Sequence, residues 1–254
     1  MRGRPVVDMK ILEVVGLTCR VGGIALVDAL SFTVEEGEIL ALCGPARSGK
    51  TASVLCLSGS VPAESGRLIF DGREVTGLRP RELAQQGLVR GGLVPTPPWS
   101  ATVAELVALA VRWPRLGLAA LLFAKWPDAR VRSRVAALLD RVGLADRARQ
   151  HRSDLLMADL ARLRLAQALA LRPRLLLLDE PIGAHPPDDR PAVATLISEI
   201  RAAGTTVLLT EREPATAKTV ADRVAKLARG TLVACALRPA ESPISSAACR
   251  SPPP

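Results

Sequence analysis

Two kinds of apolar pattern alternate along the chain. Short continuous runs, such as EILALCG at 38–44, the leucines at 175–178 and TTVLLT at 205–210, are too brief for helices and predict strands buried on both faces. RLIFDGREV at 67–75 instead alternates around Asp71-Gly72, a hairpin signal, and with 24–44 predicts an antiparallel β layer around the first long strand. From about residue 100 the period lengthens. SATVAELVALAVRW carries a Ser or Thr cap, and 127–144 starts with Pro and Asp, sets Val131, Val135, Leu138, Leu139 and Val142 on one face, and stops at Gly143. A third helix is predicted over about 159–171 and a fourth over 188–202, with two closing strands in 223–237 that turn at Arg229-Gly230. Strands alternating with helices predict an α/β fold with a mainly parallel sheet, and the Pro- and Ser-rich stretch 239–254 predicts a disordered tail.

Composition narrows this picture. The 254 residues suit one α/β domain with an embedded subdomain, and 48% hydrophobic content places the chain among globular proteins. The five cysteines show no metal spacing and, with no signal peptide visible, point to a reducing cytosol. LGLAALLFAKW at 116–126 is too short to span a bilayer. The net charge of +9 would suit an anionic partner, but the arginines are scattered and read more simply as solvated helix faces.

The chemistry sits in two stretches. GPARSGKT at 44–51 matches the phosphate-loop pattern and lies between a predicted strand and a helix. In such a loop Gly44 and Gly49 permit the tight turn, and the amides of Pro45–Thr51 that carry a hydrogen (Ala46, Arg47, Ser48, Gly49, Lys50 and Thr51) wrap a phosphate at a helix N-terminus. Lys50 reaches the terminal phosphates and the Thr51 hydroxyl serves Mg²⁺. LLLLDE at 175–180 then puts two carboxylates at the mouth of a buried strand, Asp179 toward Mg²⁺ and Glu180 as the base that orients the attacking water.

A GTPase needs an Asn-Lys-x-Asp guanine reader, and the chain contains no Asn. The order of β layer, phosphate loop, hairpin, helical insertion, LLLLDEP, strand and terminal hairpin resembles the ATP-binding cassette (ABC) ATPases over about residues 10–238. GGIALVDALSFTVEEGEILALCGPARSGKT, FDGREVTGLRPRELAQQGLVR, LLDRVGLADRA and ALALRPRLLLLDEP look most like the ATPase subunits of branched-chain amino-acid importers. The resemblance implies a phosphate-loop NTPase of the ABC type over 10–238, with a helical subdomain at about 94–172 and an N-terminal extension at 1–9. It also implies ATP and Mg²⁺ as cofactors, membrane permeases as partners, and ATP sandwiched between two ATPase subunits on the cytoplasmic face of the plasma membrane.

Around that kept core the family pattern fails. Val21 stands where an aromatic stacks on adenine, and Leu93 where a Gln reaches Mg²⁺ and water, just before the remodelled PTPPW. The Leu-Ser-Gly-Gly-Gln signature falls on Leu155, Leu156, Met157, Ala158 and Asp159, with Asp159 expected to cap its own helix. Ala184, His185 and Pro186 replace the segment that talks across the dimer, and His185 reads as a solvated loop residue. Arg212 takes the place of the His that contacts the γ-phosphate; it is either an internal arginine finger or a side chain in solvent.

The reading is therefore an ABC ATPase that binds nucleotide and hydrolyses it slowly, with a heterodimer favoured because a competent partner could supply a good signature. The rivals are a nucleic-acid-associated ABC protein, disfavoured by the lack of a coiled coil, paired zinc cysteines or a second cassette, and a scaffold without nucleotide, disfavoured by the retained Lys50 and Asp179.

Overall fold

The computed structural model describes residues 10–94, 100–123 and 128–237; Val21, 114–123 and 235–237 are described by their backbone alone. The expected extension at 1–9, PTPPW at 95–99 and the tail lie outside the described residues. The chain opens with the antiparallel pair β1 (Lys10–Val21) and β2 (Ile24–Glu35), then crosses into a second sheet as β3 (Ile39–Cys43). After α1 (Lys50–Leu57), β4 (Ser65–Phe70) and β5 (Arg73–Glu74) return to pair with β1. Next come α2 (Pro80–Gln86), β6 (Leu88–Arg90) and a helical block of α3 (Val103–Phe123), α4 (Ala129–Arg141) and α5 (Met157–Ala170). The chain re-enters the second sheet through β7 (Leu175–Asp179), α6 (Arg190–Ala202), β8 (Thr206–Glu211), the short α7 (Pro214–Ala217), β9 (Arg223–Ala228) and β10 (Thr231–Leu237).

One sheet has the order β2-β1-β4-β5 and is antiparallel; the other has the order β10-β9-β3-β8-β7-β6 and is parallel except for β10. Residues 39–43 therefore do not belong to the antiparallel layer expected for 24–44. The physical reason lies in β3 itself. All five of its residues are buried: Leu40 and Leu42 join Leu175, Leu177 and Leu208 against the antiparallel layer and α1, whereas Ile39, Ala41 and Cys43 join Leu176, Leu178, Val207 and Leu209 against the helices. A strand covered on both faces is stable only in the middle of a sheet. At about 1.5–3 kcal/mol for each large aliphatic side chain removed from water, this two-sided burial holds the central strands in place.

The signals that start α3 and α4 act as read. Thr102 and Glu105 form a reciprocal capping pair, Thr102 N–H donating to Glu105 Oε2 at 2.8 Å and Glu105 N–H to Thr102 Oγ1 at 3.3 Å, and α3 starts directly after Thr102. Asp128 Oδ1 accepts from Val131 N–H at 2.8 Å and starts α4, which ends before Gly143 at φ 68°. The face of α4 read from the sequence packs into the core through Val135, Leu139 and Val142. The hairpin turns at Asp71-Gly72 and Arg229-Gly230 both use positive φ at each central residue.

Candidate functional site

The strand ends of the parallel sheet gather the site. β3 delivers Gly44 into the loop, where Lys50 begins α1 behind Gly49 at φ 99°. Two glycines are dictated by close approach. A Cβ on Gly44 would lie 2.4 Å from Leu227 O, and one on Gly49 would lie 2.6 Å from Leu26 O. The loop is thus moulded against β9 and β2. Gly230 N–H donates to Ser48 O at 2.8 Å, and Asp28 N–H donates to Gly230 O at 3.0 Å, so the last hairpin bridges loop and β layer. The Ser48 hydroxyl is buried inside the loop without a hydrogen-bond partner.

Lys50 is 5% exposed. Its ammonium donates to Gly44 O at 2.8 Å and Pro45 O at 2.9 Å, and stands 3.5 Å from Glu180 Oε1. Thr51 is exposed on the first turn of α1. The sequence-chosen residues of the two motifs are therefore brought together, with Asp179 and Glu180 at the end of β7. Thr210 on β8, which sequence reasoning missed, organises both carboxylates. Its hydroxyl donates to Asp179 Oδ1 at 2.6 Å and accepts from Glu180 N–H at 3.0 Å. Nothing in TTVLLT, which holds three threonines, singles it out.

Arg212 neither reaches into the phosphate loop nor stands free in solvent. Its Nε donates to Glu180 Oε2 at 3.0 Å although the side chain is 69% exposed, because β8 runs parallel to β7 and ends beside it. Glu180, at φ 46°, thus has one carboxylate oxygen toward Lys50 and the other on Arg212.

His185 is a second correction: it is buried, not solvated, and its Nδ1 has no partner among the described residues. Burial pushes its pKa below the usual imidazole value. The loop that holds it is fixed by Glu211, 1% exposed, which accepts from Ile182 N–H at 2.8 Å and Gly183 N–H at 3.1 Å through Oε1. Burial raises the Glu211 pKa above the usual carboxylate value, and the two amide donors oppose that rise.

Asp159 is a third. The N-cap of α5 is Leu156, so Asp159 lies within the first turn of the helix, and its side chain makes no cap hydrogen bond. It is 5% exposed and turned back onto Arg147 Nε at 3.1 Å, with Arg162 Nη1 at 3.8 Å. An unpaired buried carboxylate is costly, and these two guanidinium groups are what make its burial tolerable. Leu156 and Met157 are left 69% and 72% exposed. Leu93 lies just beyond β6, partly buried against the helical core.

A loop moulded by glycine, a lysine at its helix and two ordered carboxylates at a nearby strand end form the arrangement of a phosphate-loop nucleotide-binding fold. The family "ABC transporter" matches residues 27–183, and the chain belongs to that family. It is 36% identical over 231 residues to the methionine import ATP-binding protein MetN of Rhizobium johnstonii, covering 87% of this chain and 60% of the relative, so it spans about three-fifths of that protein. It is 31% identical over 233 residues to the high-affinity branched-chain amino acid transport ATP-binding protein LivG of Salmonella typhimurium, covering 89% of this chain and 91% of the relative. Its fold matches that of an ATP-binding cassette of an ABC transporter in its ADP conformation, at TM-score 0.80 and 24% identity over 91% of this chain and 92% of the other. A dimeric cassette in a post-hydrolysis state bound to ADP and Pi matches at TM-score 0.75 and 20% identity, over 89% of this chain and 98% of the other. Among the described residues no helix is long and apolar enough to cross a membrane.

Proposed function

We propose that the chain is the ATP-binding subunit of an ABC importer, coupling Mg-ATP binding to amino-acid transport through partner permeases, with slow hydrolysis. The observation that carries the reading is the coexistence of an intact phosphate loop with a Glu180 carboxylate shared between Lys50 and Arg212. The residues fit the nucleotide. The loop keeps the glycine contours that a Cβ would fill and a buried Ser48 hydroxyl without a partner, and Lys50 needs only to turn from Glu180 toward phosphate. Thr51 and Asp179 would hold Mg²⁺, which neutralises phosphate charge when bound. Glu180 would then orient water, but only after leaving Arg212.

The heterodimer reading finds support in α5. Asp159, Leu156 and Met157 stand where the resemblance puts groups that face the partner's nucleotide, yet one is buried on Arg147 and the others are apolar and exposed. Such a surface offers no hydroxyl to a phosphate, so a partner ATPase would have to supply the working signature to this chain's loop. The amino-acid class follows the names of the LivG and MetN relatives. Attachment to permeases would hold the chain on the cytoplasmic face of the membrane.

Equilibrium titration with Mg-ATP, beside Lys50→Ala, tests the reading. Micromolar to low-millimolar affinity that disappears in the variant is expected. Equal weak binding by both proteins at several millimolar would reduce the loop to a relic.

A further inference from the structure

Away from the nucleotide loop, a cavity of about 260 Å³ opens between the end of β6 and the helical block. Arg90, Arg152 and Arg164 line it, from β6, the short 3₁₀ turn Arg152–Asp154 and α5. No Asp or Glu lines it among the described residues. Some arginines elsewhere in the fold are held by carboxylates: Arg147 and Arg162 hold Asp159, Arg174 holds Asp71, Arg201 holds Asp222 and Arg223 holds Glu38. The cavity arginines form no ion pair among the described residues, and Arg90 Nε is buried with no hydrogen-bond partner. Arg152 and Arg164 are exposed and Arg90 is half-buried, and like charges around one space favour a negative group between them.

The walls are rigid enough to form a site. Gly91 N–H donates to Leu177 O at 2.9 Å, Arg152 N–H to Ala101 O at 3.2 Å, and Gln167 Nε2 to Leu106 O at 3.3 Å. A guanidinium group matches the oxygen pairs of phosphate and carboxylate. The volume is below the roughly 300–1,000 Å³ usual for drug-sized ligands and suits a small ion. We propose that this cavity is a binding site for a small, multiply charged free anion bearing phosphate or carboxylate groups, distinct from the nucleotide loop.

The test is calorimetric titration of the full chain with inorganic phosphate and, separately, malonate at fixed ionic strength, in a Lys50→Ala background that silences the phosphate loop. Saturable one-to-one binding is expected. Arg164→Glu should weaken it by roughly tenfold or more, as for loss of a charge-assisted contact, while Arg130→Glu on the exposed face of α4 should not. Arg164→Gln and Arg152→Gln, each checked by thermal melting, carry the test if the charge reversal unfolds the helix. No saturation at tens of millimolar overturns the proposal, as does equal weakening by Arg130→Glu. Binding of a tetraglutamate peptide without binding of either free anion overturns it too, and assigns the surface to a partner's acidic segment. Mg-ATP titration of the unmodified chain in parallel separates failure here from failure of the nucleotide reading.

Discussion

Arg212 Nε donates to Glu180 Oε2 at 3.0 Å across the ends of two neighbouring parallel strands. The carboxylate proposed to orient water is thereby held by a cation of its own chain. The pair is partly exposed, so its hold is modest, up to about 1 kcal/mol. Arg212→Ala and Arg212→His are each expected to raise single-turnover hydrolysis about two- to fivefold, the release of that pair, with little change in Mg-ATP affinity. Arg212→Lys should change it least. A fall in rate for both the alanine and histidine variants would mean that Arg212 assists the reaction rather than restraining it.

Asp159 is buried on Arg147 and Arg162. Asp159→Ala leaves two guanidinium groups without their acceptor and is expected to cost about 1–3 kcal/mol of stability, read from urea unfolding. Arg147→Met should cost a comparable amount, and the double variant less than the sum of the two. Full additivity would show that the pair does not interact.

Glu211 holds the loop after β7 by accepting from the Ile182 and Gly183 amides. Glu211→Leu strands both donors, at about 1–3 kcal/mol for each buried unsatisfied group. Hydrogen exchange should accelerate at these two amides more than at Leu176 or Leu208, deep in the sheet. Gly183→Ala reaches the same loop from the other side, since its Cβ would lie 2.7 Å from Glu211 Oε2.

Burial lowers the His185 pKa below its unfolded value near 6.5. Between the lowered value and 6.5 the unfolded chain binds more protons, so this contribution to stability is complete above pH 6.5 and is lost as pH falls through the folded pKa. His185→Gln is expected to flatten the difference in melting temperature between pH 7 and pH 5.5 relative to the parent. An unchanged pH profile would place His185 in water.

The strands and helices were legible because their signals are local: apolar run length, Asp128 as a cap, Gly143 as a stop, Asp71-Gly72 as a turn. The phosphate loop and the Asp179–Glu180 end of β7 were legible for the same reason. What failed depends on neighbours distant in sequence. The assignment of β3 to the parallel sheet is decided by β8 and β9, which lie more than 160 residues downstream. The burial of His185 is decided by the packing of the loop that Glu211 fastens, and the turning of Asp159 away from the helix end is decided by Arg147. Thr210 is silent in sequence because nothing but strand register puts its hydroxyl between Asp179 and Glu180.

The contact between Gly230 and Ser48 has a temporal consequence. Both strands that flank β3, and the hairpin that moulds the phosphate loop, come from the last quarter of the chain. During synthesis the GKT segment leaves the ribosome long before the walls that shape it exist, so the loop takes its final form only after the closing hairpin has emerged. Pairing over such separations is slow to form. The walls of the loop are therefore complete only once the chain through Gly230 has been made.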